Sequence, residues 1–260
     1  HGDEVALYGG HDAKVCGLGN AAIVAWLVGD GEAARRRIDE VLRWAPATRH
    51  AASRAHALES SSQVSFFAGD HDSLHRHAGE LMALAEEHGF AAYRAKATIY
   101  LGWAAASLGD KAGGLALVEE GLETFRDVST NEDSPFFTDI RASLLGMDGA
   151  YDEALAELDQ TMRNMQRDSL RLWLPELERR YGCLLARRQG ALSAEAEGWL
   201  LRAMRTAAGQ GAEALLARAA RSLAELRPAR KGSDPSTLAA ELMTSARDEA
   251  GGQPDDRPPP

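Results

Sequence analysis

The chain has 260 residues, 45% of them hydrophobic, and 29 basic against 39 acidic side chains give it a net charge of −10. A surface of that sign repels phosphate backbones and anionic lipid, which argues against nucleic-acid or membrane-surface binding as a main role. No apolar run approaches the roughly 18 to 20 residues that span a bilayer, and two cysteines, Cys16 and Cys183, form no disulfide framework and suit the reducing cytoplasm.

The chain opens on His1 rather than Met, without a charged-then-apolar leader, as a fragment or a processed product would. Alanine is abundant, aromatic residues make up 6%, and β-branched residues are sparse, which predicts helix throughout. The first helix follows His11-Asp12, with Asp12 as its N-cap. It breaks at Gly29-Asp30-Gly31, and a second helix runs to about Ala45 before Pro46. The same break returns at Gly69-Asp70, Gly109-Asp110, Gly149 and Gly190, at intervals of 40, 40, 40 and 41 residues. Glycine ends a helix because it accepts positive φ without strain, and the Asp that follows can cap the next one.

Other columns keep this period. Seven residues before the glycines stand Ala22, Ser62, Gly102, Ala142 and Cys183, all small enough to let a second helix approach. Five after them stand Ala34, Leu74, Gly114 and Ala154, with Ala196 at six in the longer last unit. Leu42, Met82, Leu122, Met162 and Met204 are the expected apolar knobs of the second helices. Ser134-Pro135 and Pro175 fall at the starts of first helices, where proline is accommodated.

The prediction is an all-α right-handed solenoid of five to six helix pairs, spanning residues 1–227. Its units fall near 11–50, 51–90, 91–130, 131–170 and 171–210, with a partial unit at 211–227. Its sixth first helix runs from about Ala212 to Leu226, and Gly232 marks a turn. Asp234-Pro235-Ser236 starts a degenerate capping helix within 228–250, and 251–260 (GGQPDDRPPP) is too polar and proline-rich to pack.

These residues resemble tetratricopeptide-type repeats, with a period longer than that family's usual 34 residues. The stretch YGGHDAKVCGLGNAAIVAWLVGDGEAARRRIDEVLRWA (Tyr8 to Ala45) resembles more closely the carboxy-terminal repeat region of large bacterial signalling ATPases of the STAND type. In that group a class III nucleotide cyclase, a protein kinase or a DNA-binding domain precedes the ATPase. HGFAAYRAKATIYLGWAAASLGD (His88 to Asp110) is similar to their third unit, and the likeness extends from about Tyr8 to Leu226. Ala13 stands where that group usually has Pro, and no G-x-x-x-x-G-K-[ST] phosphate loop occurs. The resemblance therefore implies that any ATPase or cyclase activity belongs to a parent protein and not to this chain.

Three groups of residues suggest chemistry. His71, Asp72 and His75 in DHDSLHRHAGE could place two imidazoles on one helix face, as zinc sites do, but a third ligand points elsewhere and no metal is expected. His11, Asp12 and Cys16 could make a thiolate site, yet Asp12 is accounted for as a cap and Cys183 by packing. Runs such as Arg35-Arg36-Arg37, Glu86-Glu87 and Arg179-Arg180 read as solvated helix faces. First helices of such solenoids line a concave groove, and Trp26, Glu59, Gln63, Phe66, Lys96, Trp103, Asp139 and Arg180 occupy its expected positions, the aromatics being equally explained as inter-repeat core. The functional expectation is a non-catalytic scaffold or sensor module that binds a protein, a peptide or a neighbouring domain without a cofactor. The alternative is a receptor module holding a small molecule in the groove.

Overall fold

The computed structural model describes residues 7–8, 10–128, 134–168, 171–227 and 234–251. These residues form twelve α-helices: α1 (Ala13–Leu27), α2 (Gly31–Trp44), α3 (Ala51–Ala68), α4 (His71–His88), α5 (Ala91–Ser107), α6 (Lys111–Val128), α7 (Ser134–Asp148), α8 (Tyr151–Asp168), α9 (Leu174–Gln189), α10 (Ala194–Gln210), α11 (Glu213–Leu226) and α12 (Pro235–Gly251). A 3-10 turn, Ala45–Thr48, follows α2. The all-α reading holds, and the helices pack in sequential hairpins as a repeat array does. One element was not predicted. Strands β1 (Leu7–Tyr8) and β2 (His11–Asp12) pair antiparallel, with Tyr8 opposite His11, and Gly10 at φ +88° makes the bend.

The helices gather into two compact units, residues 1–144 and 145–260. In both, the expected glycines make the turns. Gly29, Gly69, Gly109, Gly149 and Gly190 all have positive φ, between 69° and 111°. The Asp that follows the first three caps the next helix: Asp30 accepts from the Ala33 N–H at 2.8 Å, Asp70 from Ser73 at 3.0 Å, and Asp110 from Gly113 at 3.0 Å. Each satisfies an amide that the first turn of a helix leaves without a partner.

The small-residue columns mark close helix contacts. Ala22, Ser62, Ala142, Ala34, Leu74, Ala154 and Ala196 are all buried. At Gly102 an added Cβ would lie 2.6 Å from the Gly114 carbonyl, and at Gly114 it would lie 2.5 Å from that of Gly102, so α5 and α6 touch backbone to backbone. Two columns shift. Leu42, Met82 and Leu122 are half-buried, while Val41 and Leu81, one residue earlier, are buried and Met162 and Met204 are buried as expected. In the longer fifth unit Cys183 is half-buried, and Gly182 instead makes the close approach, with a Cβ there meeting Leu200 at 2.9 Å and the Ala196 carbonyl at 3.0 Å. The extra residue of that unit moves the register by one helical position, about 100°. Its turn is also longer, and Ser193 rather than Asp caps α10 by accepting from Ala196.

In the second unit α11 begins one residue after the expected Ala212, and Asp234 accepts from the Thr237 N–H at 3.2 Å to open α12. The predicted turn at Gly232 and the tail beyond Gly251 lie outside the described residues. Among those residues no helix is long and apolar enough to cross a membrane.

Candidate functional site

The first unit carries seven of the eight predicted groove residues on its first helices. α3 is the centre of this arrangement, with an unbroken buried run from Ala57 to Phe67. Positions ten and thirteen residues before the turn glycines meet here. Glu59 of α3 is buried and receives the Lys96 ammonium of α5 at 2.9 Å, while His56, one turn earlier on α3, lies 3.2 Å from its other oxygen. Burial alone would push the Glu59 carboxyl up, but Lys96 and His56 hold it down to about 2. An ionised carboxylate and an ammonium therefore sit together, largely shielded from water, between two neighbouring repeats.

The network continues to the amino-terminal strands. The His11 ring of β2 stacks on His56 with centroids 4.5 Å apart, and its Nε2 meets the Tyr93 hydroxyl of α5 at 2.5 Å. Burial, and then His56, lower the pKa of His11. The Asp12 backbone N–H donates to Ser53 Oγ at 2.8 Å, and the Asp12 side chain accepts from the Val15 N–H and from the Trp44 indole. Asp12 is thus a cap and an anchor for β2. Cys16 beside it accepts from Asn20 at 3.7 Å.

The same set of first helices carries an aromatic cluster. Phe66 packs edge-on against Trp103 at 5.2 Å and against Phe136 at 5.1 Å, and Phe67 stacks on Trp26 at 4.7 Å. Phe136 of α7 thereby reaches α3 across two repeats. Phe66 is buried, and Trp26 and Trp103 are half-buried, so these aromatics tie the four first helices α1, α3, α5 and α7 together. Gln63 and Asp139 are buried polar residues of the same helices, Asp139 with 2% exposure. Arg180 belongs to the second unit, 4.0 Å from Glu176. Burial would raise the Glu176 carboxyl, but Arg179 at 2.6 Å and Arg218 at 3.2 Å hold it well below the usual range.

His56, Tyr93 and Phe136 were not singled out in the sequence. His56 and Phe136 could have been, since both occupy the Lys96 column, thirteen residues before their glycines. Tyr93 meets His11 across 82 residues, a contact that no local pattern signals. In the His-rich stretch, His71, Asp72 and His75 are exposed on α4, whereas His77 is buried against Ser65 of α3. Among the described residues no group of three or more His, Cys, Asp or Glu side chains is placed to hold a metal ion.

No protein-family model matches the chain. It is similar to an uncharacterised protein of Rhizobium meliloti (strain 1021), 31% identical over 222 residues, which are 84% of this chain and 21% of the relative. The chain thus spans about a fifth of the length of the curated relative it matches.

Proposed function

We propose that this chain is a tetratricopeptide-like scaffold or sensor module of a larger bacterial signalling protein, and that its first helices bind a protein partner, a peptide or a neighbouring domain. The observation that carries the reading is what the first helices of the first unit hold. There Glu59, Lys96 and His56 form a fixed polar group, and Trp26 and Trp103 of the same set of helices are only half-buried. Partly exposed tryptophans are typical of protein-binding hot spots. The relative, of which this chain spans about a fifth, supports a role as one part of a longer polypeptide. The resemblance to the repeat regions of STAND-type ATPases and cyclases supports regulation of an ATPase or output domain, with the chemistry lying outside this chain, in the cytoplasm and without a cofactor.

The test is a pull-down of the amino-terminal half of the parent protein by this chain, together with ATPase assays of the parent with and without the repeats. Binding that Trp103→Ala weakens, and an ATPase rate that changes on deletion, are the expected results. No binding and no change in rate would reject the reading. A rise in melting temperature with a metabolite, lost in Trp103→Ala, would instead favour a receptor module holding a small molecule.

A further inference from the structure

The repeat columns mark which face of each first helix docks on the hairpin before it. Residues twelve and five before the turn glycines form this face. In α3 they are Ala57 and Val64, which pack in one cluster with Val15, Ala34, Ile38 and Val41 of the preceding pair α1 and α2. In α5 they are Ala97 and Ala104, and Ala97 packs with Ala55, Leu58, Leu81 and Leu84 of α3 and α4. In α7 the first of them is Phe137, edge-on to Phe125 of α6 at 5.1 Å. All are buried.

The same two columns in α1 are Gly17 and Val24. Both are exposed, Val24 to 56%. Asn20 lies between them and is exposed, while its equivalents Ser60, Tyr100 and Ile140 are buried. The stripe carries no charge, although the chain as a whole is strongly charged.

Gly17 leaves room for such a contact. It sits inside α1, where glycine is less stable than alanine, and a Cβ built on it meets nothing within 4 Å. Among the described residues nothing requires a glycine there. By contrast Gly19, two residues on, faces α3, and its Cβ would lie 2.5 Å from Ser60 Oγ. Gly79 of α4 and Gly198 of α10 also face open space, so Gly17 is compatible with a close helix approach like that at Gly102 and Gly114, and the comparison of its columns with those of α3, α5 and α7 carries the argument. The last helix, α12, differs. Its exposed positions include Ser236, Thr237, Glu241, Thr244, Arg247, Asp248 and Glu249, the polar outer face of a terminal cap.

We propose that the Gly17–Asn20–Val24 face of α1 is a repeat interface, and that it docks the second helix of a further helical hairpin supplied by polypeptide upstream of this chain. That hairpin would sit on α1 as α2 sits on α3. Its contact face is apolar and uncharged, with a bulky residue over Gly17. The relative is much longer than the stretch it shares with this chain, which leaves room for further repeats on either side. This edge is separate from the residues that carry the proposed function.

The test is the reaction of a maleimide with Val24→Cys in a Cys16→Ser, Cys183→Ala background, checked for native helicity by circular dichroism. Rates are compared between the 260-residue chain and the protein carrying its natural upstream sequence. Leu108→Cys, at a position 76% exposed, is the control. The expected result is labelling of Val24→Cys at least tenfold slower in the longer protein, with the control unchanged. Equal rates in both proteins would overturn the proposal. So would protection in the 260-residue chain that grows with concentration, since a second copy would then be the occupant. Gly17→Gln supplies a second readout: it leaves the melting temperature of the 260-residue chain unchanged or higher and lowers that of the longer protein.

Discussion

Lys96→Met strands a buried carboxylate, and the consequence can be worked from the structure. Glu59 is held at about 2 against an ordinary 4.5, and a difference of that size favours the folded, ionised state by about 3 kcal/mol. Lys96 is the larger of the two partners that oppose burial. Without it the Glu59 carboxyl rises, because burial is then countered by His56 alone. The expected loss is about 3 kcal/mol at pH 7, the size typical of breaking a buried pair by removing one member. The pH dependence has a definite sign. In the parent protein the pair's contribution is complete above the unfolded value near 4.5 and fades as pH falls toward 2. In the variant the carboxyl is raised, so folding is favoured by protonation and weakens as pH climbs past 4.5. The gap between the two proteins must therefore narrow from pH 7 to pH 4. Guanidinium unfolding followed by far-ultraviolet circular dichroism at both pH values measures it. A third protein, Glu59→Leu with Lys96→Met, removes both charges and recovers part of the loss, because an apolar pair of similar volume can replace a buried ion pair at little cost. A loss below about 1 kcal/mol at pH 7, a gap that does not narrow at pH 4, or a double variant less stable than Lys96→Met would refute the reasoning.

Gly102→Ala puts a Cβ 2.6 Å from the Gly114 carbonyl and should lower stability by about 1–3 kcal/mol through overpacking. Gly79→Ala, in α4 with nothing within 4 Å, should raise it by up to about 1 kcal/mol, and the two variants compared in one urea titration check both signs. Asp30→Ala removes the N-cap of α2 and should lower stability by about 1 kcal/mol, again by urea titration, whereas Asp30→Asn keeps most of it. His11 should titrate below 6.5 by NMR, since burial and His56 both disfavour its cation. Its contribution to stability is present above the unfolded value and declines as pH falls through the lowered one. His11→Asn should flatten that part of the stability profile between pH 7.5 and 5.

The turns were legible in the sequence because they answer to local rules. A glycine at positive φ and an Asp accepting from the amide three residues later need only a few consecutive residues, and Gly29-Asp30, Gly69-Asp70 and Gly109-Asp110 each satisfy both. The candidate binding positions were legible only in part. Their places follow from the 40-residue spacing, but their depth does not. Phe66 lies in a predicted groove column and is buried because Phe136 reaches it from α7. That contact depends on how tightly three hairpins stack, which no single repeat encodes. The β1–β2 pairing was missed for a similar reason: two residues per strand carry no period, and they are held through Ser53, Tyr93 and Trp44 from distant parts of the chain.

The departures of the fifth unit show what the repeat does require. Between Gly149 and Gly190 the interval is 41, and the small residue of the first helix moves from the Cys183 column to Gly182. The turn lengthens, Asp gives way to Ser193 as cap, and the buried partner on the second helix stays at Ala196 with 0% exposure. One inserted residue has thus been absorbed by rotating which position faces the neighbour, while the close crossing of the two helices is kept. The backbone approach within a hairpin is therefore the more stringent constraint, and the identity of the residue at each numbered column is the weaker one. The same ordering explains why Gly102 and Gly114 need glycine on both sides of one crossing, and why the column thirteen residues before the glycine is free to hold Lys96, His56 or Phe136 in turn. Keeping the crossing leaves the other first-helix positions open to specialise, and in this chain they hold a buried ion pair and an aromatic cluster.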